Sequence, residues 1–308
     1  MSVLKEVLES GRFAVTAELA PPKGADMSAQ VDTAVKYLKD SVHAVNVTDM
    51  QSACLKASSF GLCIKLKEAG VEPIMQTTGR DRNRMAIMGD FLAAASFGID
   101  TMFASTGDHT IIGDCKEAKP VFDLDSVGIL QMMTDLEETG LDCGGNKITG
   151  PVPSFYKGAC VSPVYDPIFL QINKLRMKVN AGAEYVQTQG IFTVEHLKRF
   201  MDEVDKANID VHVMAGIIPL KGAGMARYMN ANVPGIDVPE DMIKRLDGAA
   251  ARGKASGIKG LPAKEGIEMA AELIARIKEE KLCGGVHIMT VGAEANVPVI
   301  LKKAGIKI

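Results

Sequence analysis

No CxxC pair occurs among the six cysteines, Cys54, Cys63, Cys115, Cys143, Cys160 and Cys283. Such scatter excludes the usual zinc and iron–sulfur ligand spacings, and in a chain of 308 residues it argues against a disulfide framework. Reduced thiols in a cytoplasmic protein are expected. No HxxxH and no clustered His/Asp set is present, so no metal site is expected. Basic charge is not in excess: 35 Lys+Arg against 38 Asp+Glu give a formal −3, which removes nucleic acid as a main partner. No apolar run approaches the roughly 20 residues that span a bilayer. The N-terminus, Met1-Ser-Val-Leu-Lys-Glu-Val-Leu-Glu, is charged and lacks a signal-peptide core, so secretion is not expected. Tryptophan is absent and methionine numbers 17, a composition that suits a flexible apolar core and names no chemistry.

What is present is an ordinary globular balance, 47% hydrophobic and 24% charged. Short apolar runs rich in Val and Ile alternate with longer stretches of helical period. Strands are expected at 13–19, 42–47, 71–77, 101–105, 159–162, 184–189, 211–217 and 285–289. Helical patterns lie near 27–40, 55–69, 83–97, 125–139, 167–181, 194–207, 239–253 and 264–281. In the first of these Val31, Ala34, Val35 and Leu38 share one face. Eight strands, each leading into a helix, is the count of an α/β (β/α)8 TIM barrel, and the near-continuous apolar strands suit a parallel sheet covered on both faces. A doubly wound open sheet is the alternative, but no GxGxxG stands at the first strand–helix turn. With no repeat or interdomain linker in sight, residues 1–308 are expected to form a single domain. Two segments exceed ordinary loop length, 107–122 and 140–156, and the first is a candidate wall of a ligand site.

In a barrel the C-terminal strand ends converge on one mouth, where chemistry is found. The expected ends carry Glu18, Thr48, Gln76 with Thr78, Asp108, Ser162, Gln189, and His287 with Thr290. Strands must turn polar where they meet solvent, which accounts for any one of these. It accounts less well for a set made mostly of acids, amides and hydroxyls. Glu18, between Ala17 and Leu19 and ahead of Pro21-Pro22, would be held rigidly and partly desolvated, the setting of a general acid; a solvated strand-end acid fits the residues equally well. Asp108, in Thr106-Gly107-Asp108, reads more simply as a turn starter. Gln189 is a ligand candidate because a buried amide needs partners. The run Arg80-Asp-Arg-Asn-Arg84 has the form of a phosphate grip, although a solvated helix start with internal ion pairs is the plainer reading. His109 beside Asp108 reads as a surface histidine more than as a proton carrier, and His43, His196 and His212 as structural or exposed.

In order along nearly the whole chain, the residues resemble the methylenetetrahydrofolate reductase family, in a short, barrel-only form. The resemblance is carried by Ala17-Glu-Leu-Ala-Pro-Pro-Lys23, Val45-Asn-Val-Thr48, Thr77-Thr-Gly-Arg-Asp-Arg-Asn-Arg84 and Thr106-Gly107-Asp108. It continues through Lys178-Val-Asn-Ala-Gly-Ala183 with Thr188-Gln189, Gly216-Ile-Ile-Pro-Leu220, Val233-Pro-Gly-Ile236 with Pro239, and Gly285-Val-His-Ile-Met-Thr290. What this implies is flavin-dependent reduction of 5,10-methylenetetrahydrofolate to 5-methyltetrahydrofolate. Carried over, Glu18 is the acid that assists ring opening at N10, Asp108 sits between flavin and pterin, and Gln189 orients the pterin. Thr48, Gly107, Asp166, Lys174 and Lys178 fall at flavin and phosphate contacts, joined at the strand ends by Gln76, Thr78, Thr106 and Ser162.

Departures from the well-known bacterial members are also visible. Gln76 stands in place of His, Thr106 in place of Arg, Asp49-Met50 in place of an aromatic–Gly pair, and Ala223 in place of an aromatic near the pyridine nucleotide. These positions concern the flavin periphery and the electron donor. They resemble the forms of anaerobes, which implies either NAD(P)H or an electron-delivering iron–sulfur partner subunit, and FAD or FMN as the flavin. An oligomer is expected. The competing readings are a pterin-dependent methyltransferase barrel acting with a corrinoid protein, and a non-catalytic barrel subunit.

Overall fold

The computed structural model describes residues 2–308. Its eight strands are β1 (Ala14–Leu19), β2 (Ala44–Val47), β3 (Pro73–Thr78), β4 (Thr101–Ser105), β5 (Tyr156–Val161), β6 (Tyr185–Gly190), β7 (His212–Ile217) and β8 (Gly285–Ile288). They pair in parallel in chain order and close by β1 against β8, with Thr16 opposite both Ala44 and His287. This is the expected (β/α)8 barrel. Around it run α1 (Val3–Glu9), α2 (Ser28–Tyr37), α3 (Ser59–Glu68), α4 (Arg84–Ser96), α5 (Ser126–Thr139), α6 (Ile168–Asn180), α7 (Val194–Lys206), α8 (Ala223–Asn232), α9 (Glu240–Ser256), α10 (Leu261–Glu279) and α11 (Val297–Lys303).

The period-2 alternation of each strand sorts its residues between two cores. Val15, Ala17 and Leu19 of β1 face the helical shell and join its main apolar cluster. The helices meet that shell along single stripes: in α7, Val194, Leu197, Phe200 and Val204 are buried, and Thr193 caps the helix by accepting from His196 N at 3.3 Å. Inward-facing residues at the strand starts, Ala14, Ala44, Ile74, Tyr156, Tyr185 and Met214, form a second cluster with Leu4, Val7 and Leu8 of α1. α1 therefore floors the N-terminal end of the barrel. Within that floor Tyr185 and Tyr156 stack at 4.8 Å, and the Tyr185 hydroxyl donates to Met102 O at 3.1 Å. Gly158 faces the Tyr185 ring so closely that a Cβ there would lie 2.1 Å from Cζ.

Three helices escape the periodicity: α1, α8 and α11. α1 and α11 have only 7 residues, so the repeat spans too few turns to stand out; α8 has 10, as do α2 and α3, and its length does not account for its being missed. β5 starts at Tyr156, three residues ahead of the expected 159, because the Gly/Pro-rich segment before it masks the strand edge. The long segment 140–155 includes a small hairpin bridged antiparallel between Leu141 and Lys147. A flank cavity of about 610 Å³ between it and the end of α4, lined by Leu92, Ser96, Lys147 and Val152, lies outside the barrel. No described helix is long and apolar enough to cross a membrane.

Candidate active site

At the C-terminal end the inward positions turn polar. The penultimate residues of β1, β5 and β6, namely Glu18, Cys160 and Gln189, are the partly exposed ones in strands otherwise buried, and in β3 the partly exposed residue is Gln76, third from its end. Ser162 follows Val161, the last residue of β5, whose partner in β6 is Thr188. Among the described residues, the side chains of Glu18, Gln76, Ser162 and Gln189 make no hydrogen bond within the protein; the closest charged approach to Glu18 is His287 Nε2, 3.9 Å from Oε2. Four hydrogen-bonding groups without internal partners around one opening are the mark of a site that receives its partners from outside.

Gln189 owes its placement to a bulge. The β6–β7 register shifts between Gln187 and Gly190, and Thr188 fills the break by accepting from Gly216 N (2.8 Å) and donating to Gln189 O (2.7 Å). Gly216 admits this because a Cβ there would lie 2.2 Å from Thr188 O.

The wall on the β2–β4 side is built by charge. Arg80, 1% exposed, chelates Asp81 with Nε (2.8 Å) and Nη2 (2.6 Å), and donates to Met50 O (3.1 Å) and Asp108 O (3.2 Å). Arg82 pairs with Asp49 and, at 3.0 Å, with Asp90. Asp49 also accepts from Thr78 N (2.8 Å) and Oγ1 (3.1 Å), and burial pushes its carboxyl above the usual range against the opposing pull of Arg82. Arg84 pairs with Asp123. Arg80 and Arg82 thus form an internal clamp, with the buried Arg80 guanidinium committed to protein groups, while Arg84 stays half-exposed at the helix start in the expected ion pair.

That clamp holds an unusual loop. Met50, Ser52 and Ala53, after β2, all have φ near +50°, a region costly for residues with a Cβ. Arg80 ties Met50 O, Thr48 Oγ1 donates to Gln51 Oε1 (2.7 Å), and Asp108 Oδ2 accepts from Ser52 N (3.2 Å). The segment after β4 packs against it, with Gly113 so close to Ala53 O that a Cβ would lie 1.9 Å away. Strain held by several independent bonds at a barrel mouth points to a shaped ligand wall. Gly107, at φ +88°, brings backbone to this wall. Thr106 is exposed and accepts from Ser126 N (3.2 Å) at the start of α5, while His109 caps a 3-10 turn through Ile111 N (3.2 Å).

Glu18, Thr48, Gln76, Thr78, Gly107, Asp108, Ser162 and Gln189 are accordingly all carried by the strand ends and loops of one mouth, with Thr106 turned toward α5. Three expected positions stand apart. Asp166, exposed after β5, pairs with Arg199 of α7, which holds its carboxyl below the ordinary range. Lys178 donates to Cys160 O (2.6 Å), beyond the last registered β4–β5 pair, Ala104–Ala159. Lys174 lies exposed on α6 with no bonding partner among the described residues. Sequence patterns gave no sign of the buried polar residues below the mouth, Asn46, Gln187 and Thr16, which bond in that order across the barrel and reach His287 through Thr16.

Free amide, hydroxyl and carboxyl groups around an opening with close backbone at Gly107 suit a flat heteroaromatic ring with donors and acceptors on its edge, as in a flavin or a pterin. No group of three or more metal-ligating side chains occurs among the described residues. Fold and mouth define a ligand-binding (β/α)8 barrel open at one end. The family model for methylenetetrahydrofolate reductase matches residues 3–305, and the chain belongs to that family. A probable methylenetetrahydrofolate reductase (NADPH) of Caenorhabditis elegans is 21% identical over 259 residues, 83% of this chain and 34% of its own length. The 5,10-methylenetetrahydrofolate reductase of Escherichia coli (strain K12) is 36% identical over 74 residues, 24% of this chain and 25% of that protein. The chain thus spans about a third or less of these relatives in the matched regions. Among solved structures, the EDTA monooxygenase EmoA from Chelativorans sp. BNC1 aligns with a TM-score of 0.55 at 11% identity, over 96% of this chain and 98% of that one, a likeness of fold alone.

Proposed function

We propose that this protein reduces 5,10-methylenetetrahydrofolate to 5-methyltetrahydrofolate at the barrel mouth, with a bound flavin, FAD or FMN, supplying the hydride. Family membership supports the substrate. The observation that supports the residue roles is that the Glu18 carboxyl and the Gln76 and Gln189 amides, at the mouth ends of three strands, form no hydrogen bond within the protein. Glu18, in its protonated form, gives a proton to N10 of the substrate as the imidazolidine C–N10 bond breaks, leaving an iminium at N5 for the hydride to reach. Gln189 offers its amide edge to the pterin, and Asp108 faces pterin and flavin from the strained wall. Thr48, Gln76, Thr78, Gly107 and Ser162 line the flavin side, with Thr106 behind them beside α5; outside the mouth Lys174 and Lys178 would offer cations to its phosphate-bearing end, and Asp166, an anion paired with Arg199, would accept from a hydroxyl and not from phosphate. Electrons arrive from NAD(P)H or from an iron–sulfur partner subunit, in the cytoplasm and within an oligomer.

The test is anaerobic absorption spectroscopy. Flavin bands of the purified or reconstituted protein are expected to return when methylenetetrahydrofolate is added to the chemically reduced form. Glu18→Gln keeps shape and hydrogen bonding but holds no acidic proton, so it is expected to slow that reoxidation by about 10²–10⁴-fold with flavin binding retained. Failure to bind flavin even after reconstitution overturns the proposal and favours a pterin-dependent methyltransferase.

A further inference from the structure

Beneath the mouth, four side chains from four strands join across the barrel. Gln187 Nε2 donates to Thr16 Oγ1 (3.2 Å) and to Asn46 Oδ1 (3.0 Å), while its Oε1 accepts from Asn46 Nδ2 (2.8 Å). Thr16, having accepted, has one hydrogen left to give, and the acceptor in reach is His287 Nδ1 at 2.9 Å. All four residues are buried, His287 being 3% exposed. An apolar set of the same volume would fill this level at lower risk, since any unsatisfied member of a buried polar set is costly. The chain of bonds has a direction, however. With both hydrogens of the Gln187 amide spent, the Thr16 hydroxyl keeps a hydrogen that His287 Nδ1 is placed to accept. A neutral imidazole then carries its hydrogen on Nε2, the atom 3.9 Å from Glu18 Oε2.

We propose that His287 is the positioning residue of Glu18: the Asn46–Gln187–Thr16 chain fixes its tautomer so that Nε2–H is aimed at the Glu18 carboxyl. The inference rests on the reading of Glu18 as the acid. Rotation of the otherwise unpartnered carboxyl closes the remaining gap to a hydrogen bond. In that contact Nε2–H holds the acid at the edge of the mouth and supports its anion after the proton has gone to substrate. Thr16 and His287 are already opposite one another in the β1–β8 register, so barrel closure itself sets this geometry.

Two measurements test it. In the full chain labelled with ¹⁵N-histidine, the resonances assigned by their loss in His287→Asn are expected to show an unprotonated Nδ1 and a protonated Nε2. Thr16→Val, which removes the hydroxyl, is expected to abolish that preference. A ring protonated at Nδ1 in the wild type overturns the inference; should His287→Asn not fold, His287→Gln serves for the assignment. In flavin-reconstituted protein, His287→Asn keeps an acceptor for Thr16 but loses the Nε2 end, and is expected to slow reoxidation by the folate roughly 10–100-fold, the usual cost of losing an orienting partner. His287→Gln, whose amide reaches the Nε2 position, is expected to recover most of that loss, and Glu18→Gln/His287→Asn to be no slower than Glu18→Gln alone. If Glu18→Gln slows reoxidation and His287→Asn does not, the positioning role falls and the acid stands; if Glu18→Gln has no effect, the acid assignment itself falls.

Discussion

Adding one methyl group at Gly158 should damage the barrel from within, while the same addition at Gly89 should strengthen it. At Gly158 the new carbon would lie 2.1, 2.4 and 2.5 Å from three atoms of the Tyr185 ring. Reaching ordinary contact requires the ring to retreat by about 1.5 Å. Tyr185 has nowhere to go, because Tyr156 stacks on it and its hydroxyl is held by Met102 O. Overpacking of this kind costs about 1–3 kcal/mol, and stretching the hydroxyl bond adds about 1 kcal/mol, so Gly158→Ala should lose about 2–4 kcal/mol. Gly89 lies exposed within α4 with nothing within 4 Å of its added carbon, and Gly89→Ala should gain about 0.5–1 kcal/mol through lost freedom of the unfolded chain. Urea unfolding of the two variants and wild type, with equal slopes, gives both numbers. Because Tyr185 and Gln187 share the inward face of β6 below Gln189, Gly158→Ala should also weaken the flavin binding proposed above. Equal stability of Gly158→Ala and wild type would refute this account of the barrel floor.

Two further outcomes concern the mouth and its rim. Arg80→Met strips three groups of a buried donor and should cost about 2–4 kcal/mol, with the loop at 50–53 becoming susceptible to limited proteolysis; an uncleaved, equally stable variant removes the clamp from the explanation. Asp123, bonded by Arg84 through backbone and side chain, is held down to about 2. A carboxyl depressed on folding contributes stability above its unfolded value that is lost as pH falls toward the folded one. Unfolding between pH 5 and pH 2 should therefore be less steep in Asp123→Asn than in wild type, and parallel curves would contradict the pairing.

How much of this was visible in the sequence depended on range. The strands were legible because a parallel strand covered on both faces is a run of apolar letters, and eight runs alternating with helices leave few architectures. The mouth was legible for the same reason, since Glu18, Gln76 and Gln189 interrupt such runs near their ends. Thr16, Asn46 and Gln187 interrupt them too, but at mid-strand, and their meaning lies in partners 141 to 271 residues away that only the closed barrel supplies. Arg80 was illegible for a different reason. A lone cation in a charged run belongs by default at the surface, and only the carbonyls of Met50 and Asp108, brought in by two neighbouring loops, make its burial tolerable.

The floor of the barrel has a consequence for how the chain assembles. α1 precedes all eight strands in the chain, yet its apolar face rests on residues from β1 through β7. Seven residues of helix have too little cooperativity to persist alone in water. The segment must therefore wait, unstructured and amphipathic, until Met214 of β7 has been made and the strands have curved toward one another. Its docking belongs among the last events of folding, and the completed floor certifies that the ring above it is nearly whole.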